Sequence, residues 1–581
     1  MSDNIEITTI PLTIGRFVRE VEAFLNNNGL RLDTLDLCLV ARHPENDHII
    51  ACGGLSGDTI KCLAVDATLR GTGMMQRLIS ALISHANNLG RQQLKVFTKP
   101  ENADIFTSLG FRMLAAAPKA IFMENGIDGI QRYKRHLNQL RREGRNGLIV
   151  MNANPFTIGH QTLVRFAAQQ VDTLYVIAVA EDASDFSADE RLRMIQDGCA
   201  EIGNAVVVEG SEYAISAHTF PTYFLKQLSD ATDTQIALDL DLCARHIMPA
   251  LNASVRFVGS EPADPVTARY VELMNIILPQ NGFKVSVMPR VADFDGNTIS
   301  ATRVRKALTD GRLIPALSLT PKTTWPSLLG QLAANALLNE LDTTPKPGLV
   351  DQADCGAHSD MDLPLMYLSI KTLRPHFTDM ARLGFVSTLP ASDDVIKTGI
   401  RAEHDMMQAT GGVNTHRGAI FSLGLTTIAA AHLLHTQEQI CPDKLQMTIA
   451  ALAEHIHPAT DSHGQRAVKA TGVDGALATA QKGYPMLFTQ WLPTYQSLAG
   501  DNYRCHRTLL SIMSSLDDTN IIHRAGPDAA RQVKRQAKQL LDGFSLNALR
   551  ELNREYIAQN ISPGGAADML AMIIYVNSLI N

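Results

Sequence analysis

Apolar positions in the first 142 residues fall into runs of strand length: Leu37–Ala41, Ile49–Leu55, Ile60–Val65 and Leu94–Thr98. Between the last two lies Met74–Leu89, where apolar residues return at helical spacing. Strands with a helix among them predict an α/β segment. A second segment opens on Gly147-Leu-Ile-Val-Met-Asn-Ala153, a continuous apolar run suited to a strand buried on both faces. It continues strand, helix, strand, helix to about Arg312, which predicts a parallel sheet with crossover helices. From Leu328 the period changes. Leu328, Leu329, Leu332, Ala336 and Leu337 recur at three and four, so the last segment is expected to be mostly helical. Thr320-Pro-Lys-Thr-Thr-Trp-Pro326, whose two prolines interrupt a helix, reads as a linker. The expected domains are 1–142, 145–315 and 328–581.

Composition narrows the partners. The 581 residues, 45% hydrophobic and 19% charged, suit a folded protein with more than one core. A net charge of −7 argues against a nucleic-acid partner, which needs clustered Lys and Arg. The basic run Arg132–Arg145 is interleaved with Leu137, Leu140 and Glu143, as a solvated helix face would be. Eight cysteines without a CxxC pair give no zinc or dithiol signal. The start MSDNIEITTI lacks a basic stretch followed by an apolar one, and no apolar run reads as long enough to span a bilayer. The expectation is a cytoplasmic protein with reduced thiols and no membrane partner.

Candidate chemistry concentrates in Asn152-Ala-Asn-Pro-Phe-Thr-Ile-Gly-His160, where a buried strand turns at a proline into a helix. Loops at the carboxyl ends of parallel strands bind ligands, and a helix N-terminus there offers N–H groups to a phosphate. Gly159 permits close backbone approach and His160 adds an imidazole. Later, Ile299-Ser-Ala-Thr-Arg-Val-Arg305 opens another helix with hydroxyls at Ser300 and Thr302 and cations at Arg303 and Arg305, groups that suit a triphosphate. Ser187-Ala-Asp-Glu190 fits a capping box. Asp239 and Asp241, on an apolar run, face either a substrate pocket or solvent.

Thr157-Ile-Gly-His160 and Ile299-Ser-Ala-Thr-Arg-Val-Arg305 resemble the two signatures of the nucleotidyltransferase superfamily. With Met151–Thr157, Gly210–Tyr213, Thr219–Phe224 and Val258–Pro262, residues 1 to 315 resemble citrate lyase ligase. That resemblance implies adenylation of acetate by ATP, with Mg²⁺, followed by acetyl transfer to the thiol of the citrate lyase acyl carrier. It implies that His160 serves the phosphate under attack and that Ser300, Thr302 and Arg305 hold the departing phosphates. Arg303 is either a phosphate ligand or a solvent-facing neighbour. Asn154, Phe156, Thr157 and Gly159 complete the implied nucleotide contacts.

Val65-Asp-Ala-Thr-Leu-Arg-Gly-Thr-Gly-Met74 resembles the pyrophosphate loop of GCN5-related acetyltransferases, shortened if Arg70 is its first residue. Asn102–Phe111 resembles the late part of that fold. The resemblance implies that Arg70, Gly71 and Gly73 bind a CoA-like arm. No general base for a separate acetyl transfer is evident, so a docking role is expected.

In the last segment, Thr344-Pro-Lys-Pro-Gly-Leu-Val-Asp351 reads as a rigid loop. Gly356–Asp362, Gly412–Phe421, Asp461-Ser-His-Gly464, Asp517–Asn520 and Ser562–Asp568 each set acidic, amide or histidine groups near glycine, as a magnesium–phosphate site would. These stretches resemble triphosphoribosyl-dephospho-coenzyme A synthase over residues 328 to 581. That family joins ATP to dephospho-CoA and expels adenine. Asp360, Asp362 and Asp518 are the metal or base candidates, and Lys346 and Arg417 the phosphate candidates. Where the family has a GARGEA-like stretch this chain has Gly475-Ala-Leu-Ala-Thr-Ala480, so Leu477 and Thr479 replace an Arg and a Glu. Two other readings stay open: another adenylyltransferase acting on a pantetheine compound, and a ligase whose C-terminal domain only binds the carrier.

Overall fold

The computed structural model describes residues 5–180, 184–215, 220–221, 223–224, 229–260, 264–457 and 475–581. The Asp461–Gly464 motif and parts of Thr219–Phe224 and Val258–Pro262 lie outside them. The chain divides into two compact units: Met1–Asn154 with Gly159–Thr298, and Pro155–Ile158 with Ile299–Asn581.

The first unit holds two sheets. One runs β1 (Ile7–Ile10), β2 (Leu37–Arg42), β3 (Ile49–Ser56), β4 (Thr59–Val65), β5 (Leu94–Thr98), β7 (Ala120–Asn125), β6 (Arg112–Ala117). Its neighbours are antiparallel except β4 and β5, which pair in parallel only at Thr59–Lys95 and Ile60–Val96. The later part of β4 therefore leaves β5 before it enters the Arg70–Gly73 loop. Helix Met74–Asn88 packs Leu78, Ile79 and Leu82 into the core of this sheet.

The other sheet is wholly parallel, in the order β10 (Ala205–Glu209), β9 (Thr173–Ala178), β8 (Asn146–Met151), β11 (Ala253–Gly259), β12 (Lys284–Met288). The order reverses between β8 and β11, the position where doubly wound sheets open a ligand crevice at their carboxyl edge. The interior strand β9, Thr-Leu-Tyr-Val-Ile-Ala, is buried along its whole length, as its nearly unbroken apolar run requires. Ser187 and Glu190 form the capping box of helix Ala188–Cys199.

The second unit is helical among its described residues. Helix Arg417–His435 is apolar nearly all round. With a mean hydropathy of 1.4 it is long and apolar enough, by length and composition, to cross a membrane. This corrects the sequence reading that no run reaches that length. Thr426, Thr427 and two histidines break the run to the eye. In the fold the helix is mostly buried against helices Leu363–Gly384 and Gly564–Ile580. Tyr575 links the packed helices, accepting from the Thr427 hydroxyl at 3.0 Å and donating to the Leu329 carbonyl at 3.3 Å. Thr320–Pro326 is no extended linker. Pro321 precedes a 3-10 turn at Lys322–Thr324, and Pro326 lies in the first turn of helix Trp325–Leu341, where a missing N–H costs nothing.

Candidate functional site

In the first unit, β8 ends at Met151 and the chain turns through Ala153, held at φ 49°, a left-handed conformation uncommon for a residue with a Cβ. The turn is braced from below by Arg191, which is fully buried. Its guanidinium donates to the carbonyls of Phe186 (3.1 Å), Asn152 (3.1 Å) and Val179 (2.7 Å), and to the Asn152 side-chain oxygen. Asn154 accepts from the Phe186 N–H at 3.2 Å. His160, in the first turn of helix Ile158–Ala168, is half-buried. Burial, then the Arg290 charge, lower its pKa to about 4. The imidazole is thus neutral near pH 7, able to donate one N–H to an anion.

The unfolded histidine titrates near pH 6.5, so the unfolded chain binds more protons between about 4 and 6.5. The contribution of His160 to stability is present above that window and lost as pH falls through it. The adenylation expected from the sequence should show no His160 inflection between about pH 5.5 and 8. A limb near 6.5 that vanished in His160→Gln would contradict this.

The Pro155–Ile158 segment belongs to the second unit. Phe156 is fully buried there, and its carbonyl accepts from the Thr324 hydroxyl at 3.0 Å. Thr157 is buried, and the Ile158 N–H donates to Leu319 O at 3.0 Å. Ser300 is the N-cap of helix Ala301–Thr309, its hydroxyl accepting from the Arg303 N–H at 3.3 Å. Thr302 is exposed and accepts from Arg305 at 3.3 Å, while Arg303 and Arg305 are half-exposed. Ser300→Ala is expected to cost about 1 kcal/mol of helix stability through the lost cap, a small shift in the denaturation midpoint.

At the sheet end of β4, Asp66 caps the turn Ala67–Leu69. Gly71 and Gly73 both have positive φ, 80° and 84°, and Gly73 caps helix Met74–Asn88. Arg70 is exposed and reaches Asn28 at 3.4 Å.

The last helices hold a buried polar cluster that only partly matches expectation. Lys346 is 1% exposed, its ammonium 2.5 Å from Glu340 and its backbone N–H on Asp351 at 2.7 Å. Burial, against the pull of Lys346, holds the Glu340 carboxyl above its ordinary range. His416 is buried, bonded to Ser369 at 2.7 Å, and lowered to about 3 by burial and then by Lys346. Asp518 caps helix Thr519–Asp542 through Asn520 N–H at 2.9 Å and also takes Ala566 N–H at 3.0 Å. Burial still pushes it to about 6 against those bonds. Asp568 is driven up further by burial, Glu340 and Asp518. It lies so close to the start of helix Arg417–His435 that a Cβ on Gly418 would stand 1.9 Å from its carboxylate, so only glycine serves there. Asp568 and Glu340 were not assigned from sequence, although Asp568 closes the quoted Ser562–Asp568 stretch.

The other candidates lie apart from this cluster in role. Arg417 pairs with Glu403 and is half-exposed. Asp362 caps helix Leu363–Gly384, accepting from Leu365 N–H at 2.9 Å. Asp360 is exposed and lines an open cleft of about 590 Å³ with His358 and Arg524. His358 bonds Ser562 at 2.8 Å, and Arg524 donates to Asn560 at 2.6 Å. Among the described residues no group of three or more His, Cys, Asp or Glu is arranged to hold a metal ion, so Asp360, Asp362 and Asp518 are not gathered into one. Leu477 and Thr479 stand half-exposed on helix Ala476–Gln481, with the Thr479 hydroxyl donating to Gly475 O at 3.1 Å.

A parallel α/β unit with a phosphate-type strand–turn–helix, followed by a helical unit with a buried carboxylate cluster, defines a nucleotide-using enzyme of two parts. Residues 146–328 match the family described as "Citrate lyase ligase C-terminal domain", and residues 326–581 the family described as "ATP:dephospho-CoA triphosphoribosyl transferase". The chain is 40% identical over 311 residues to the citrate (pro-3S)-lyase ligase of Haemophilus influenzae, covering 52% of this chain and 92% of that one. It is 38% identical over 320 residues to the Klebsiella pneumoniae ligase, covering 54% and 92%. It is 38% identical over 282 residues to a Pseudomonas syringae pv. tomato protein named "Probable 2-(5''-triphosphoribosyl)-3'-dephosphocoenzyme-A synthase", covering 45% and 96%. The chain belongs to the citrate lyase ligase family over its first part and to the triphosphoribosyl-dephospho-CoA synthase family over its last, and is a bifunctional enzyme.

Proposed function

We propose that the first activity adenylates acetate and passes the acetyl group to the acyl carrier of citrate lyase. A carboxylate oxygen bonds to the α-phosphorus of ATP, the bridging P–O bond breaks, and pyrophosphate leaves with the electron pair. The carrier thiol then attacks the acyl carbon, AMP leaves with its electron pair, and the thiol proton is released. The observation that supports this most is the near full-length coverage of the ligase relatives. Neutral His160 donates to the α-phosphate as negative charge grows there, and Asn154 and Gly159 shape the same turn. Ser300, Thr302, Arg303 and Arg305 hold the leaving phosphates, with Phe156 and Thr157 anchoring the entry to the turn. The Arg70, Gly71 and Gly73 loop docks the pantetheine-like arm of the carrier.

The second activity joins ATP to dephospho-CoA and releases adenine, making the precursor of that arm. The ribose hydroxyl oxygen bonds to the anomeric carbon of ATP, the bond to adenine breaks, and adenine leaves with the electron pair and gains a proton. Asp568, whose carboxyl is raised well above its ordinary range by burial and then by Glu340 and Asp518, is the proton donor, and Asp518 receives the hydroxyl proton. Lys346 supplies positive potential within the cluster, and Arg417 meets phosphate at its rim. Mg²⁺ would be held mainly by substrate phosphates, as suits an ion that gives up its waters reluctantly. Asp360 and Asp362 would hold it, and bound there it offsets triphosphate charge. The three functional segments are 1–142, 145–315 and 328–581, in a cytoplasmic enzyme acting on neither nucleic acid nor membrane.

The test of the ligase reading is AMP and pyrophosphate formation from ATP, acetate and deacetylated carrier. Formation that requires both acetate and carrier is expected. A stable adenylylated pantetheine product without acetate would instead favour the other adenylyltransferase reading.

A further inference from the structure

A small cavity of about 30 Å³ lies against the parallel sheet, lined by Val150 of β8, Ile177 of β9 and Arg256 of β11 together with Cys243 and Ile247 of the helix over them. Val150, Ile177 and Val179 form its apolar side, and Arg256 of β11 enters it. A single water needs roughly 10–15 Å³ of such space, so the cavity admits a molecule of only a few heavy atoms and no nucleotide.

Two independent features mark it as a built site. The helix that covers it departs from α geometry at Cys243–Ile247, a π-bulge, and both end residues of that bulge line the cavity. π-Bulges concentrate at functional positions because they re-aim side chains. The other feature is the buried Arg256, 4% exposed, with no carboxylate in ion-pair contact among the described residues. Its guanidinium donates to Tyr270 OH at 3.1 Å and to the Cys243 sulfur at 3.1 Å. A neutral thiol is a weak acceptor, and burial raises the Cys243 pKa, so this sulfur does not balance the charge. Asp239 lines the same cavity and acts on Arg256 through space, without an ion-pair contact, while it accepts from Ile215 N–H at 3.0 Å and from Tyr270 OH at 2.5 Å. The guanidinium fork, one of whose acceptors is the weak Cys243 sulfur, faces the apolar wall of Val150, Ile177 and Val179, a pairing that suits a short aliphatic carboxylate.

We propose that this cavity is the acid subsite of the ligase: Arg256 takes one carboxylate oxygen in place of the Cys243 sulfur, and Val150, Ile177 and Val179 enclose the methyl group. The other oxygen is left for attack on phosphorus. The inference rests on the acetate-activating reading above and adds the residues that select the acid. It also resolves Asp239, which faces this pocket as a positioning residue for Arg256 through Tyr270, whereas Asp241 accepts from Ala116 N–H at 2.8 Å and pairs with Arg245.

The test is acid-dependent exchange of labelled pyrophosphate into ATP by the full chain, with acetate and with propionate. Val150→Ala enlarges the methyl end, and the propionate-to-acetate ratio of kcat/KM is expected to rise about 10-fold or more. Arg256→Lys keeps the charge but loses the fork, and the acetate KM is expected to rise about 10-fold with the ATP KM unchanged. A wild-type ratio in Val150→Ala, with a wild-type acetate KM in Arg256→Lys, overturns the subsite. Failure of the wild type to exchange with any acid strikes the ligase reading itself, a different outcome.

Discussion

Lys346→Ala is expected to lower the stability of the helical unit by about 3–5 kcal/mol, because it strands the Glu340 carboxylate in an interior that excludes water. Glu340 and Lys346 are 5% and 1% exposed, and their side chains meet at 2.5 Å, so neither loss can be repaired by solvent. Glu340→Ala should cost a similar amount from the other side. The paired replacement Glu340→Leu with Lys346→Met removes both charges together and is expected to recover most of the loss, since two apolar side chains of similar size need no partner. Urea denaturation of the intact chain, followed by a probe in the helical unit, measures all three. A single variant as stable as the wild type would mean that the ion pair is not the anchor this geometry describes. The prediction separates two roles for Lys346: sequence places it among phosphate ligands, whereas the fold commits its ammonium to Glu340.

His160→Ala is expected to lower acetate-dependent AMP formation by about 100- to 1000-fold, the usual loss when one donor to a developing anion is removed. Adenine release by the helical part should stay at the wild-type level, because His160 lies in the other unit. His160→Gln retains an N–H donor and should fall between. Equal loss of both activities would point to misfolding rather than to a missing donor. An unchanged ligase rate would remove His160 from the mechanism.

The legible parts of this sequence were those with strong local patterning. β2 to β5 and β8 fell where apolar runs predicted them, because β-branched and leucine-rich segments of that length fit half-buried or buried strands. β6, Arg-Met-Leu-Ala-Ala-Ala, carries no β-branched residue and gave no such signal; its pairing with β7 makes it a strand. The prolines at 321 and 326 misled because proline breaks a helix interior but starts one readily. Ser300 and Asp518 are helix caps, and caps and phosphate sites use the same residue types. The same overlap lets Asp362, a helix cap, stand among the metal candidates as well. Arg191, Arg256 and Asp568 were missed for a common reason. A buried charge is recognised by what surrounds it, and its partners here lie far along the chain: Arg191 with Asn152, Arg256 with Tyr270, and Asp568 against Gly418.

One polypeptide carries both activities, and the altered pair at Leu477 and Thr479 bears on the second. The measurement is adenine release by the purified chain given ATP, Mg²⁺ and dephospho-CoA, with Leu477→Arg/Thr479→Glu alongside. Release by the wild type, in step with dephospho-CoA consumed, is the predicted result and would show that the altered pair is dispensable. No release by the wild type, with release restored in the double variant, would contradict the account and leave the helical half as a carrier-binding domain beside a working ligase.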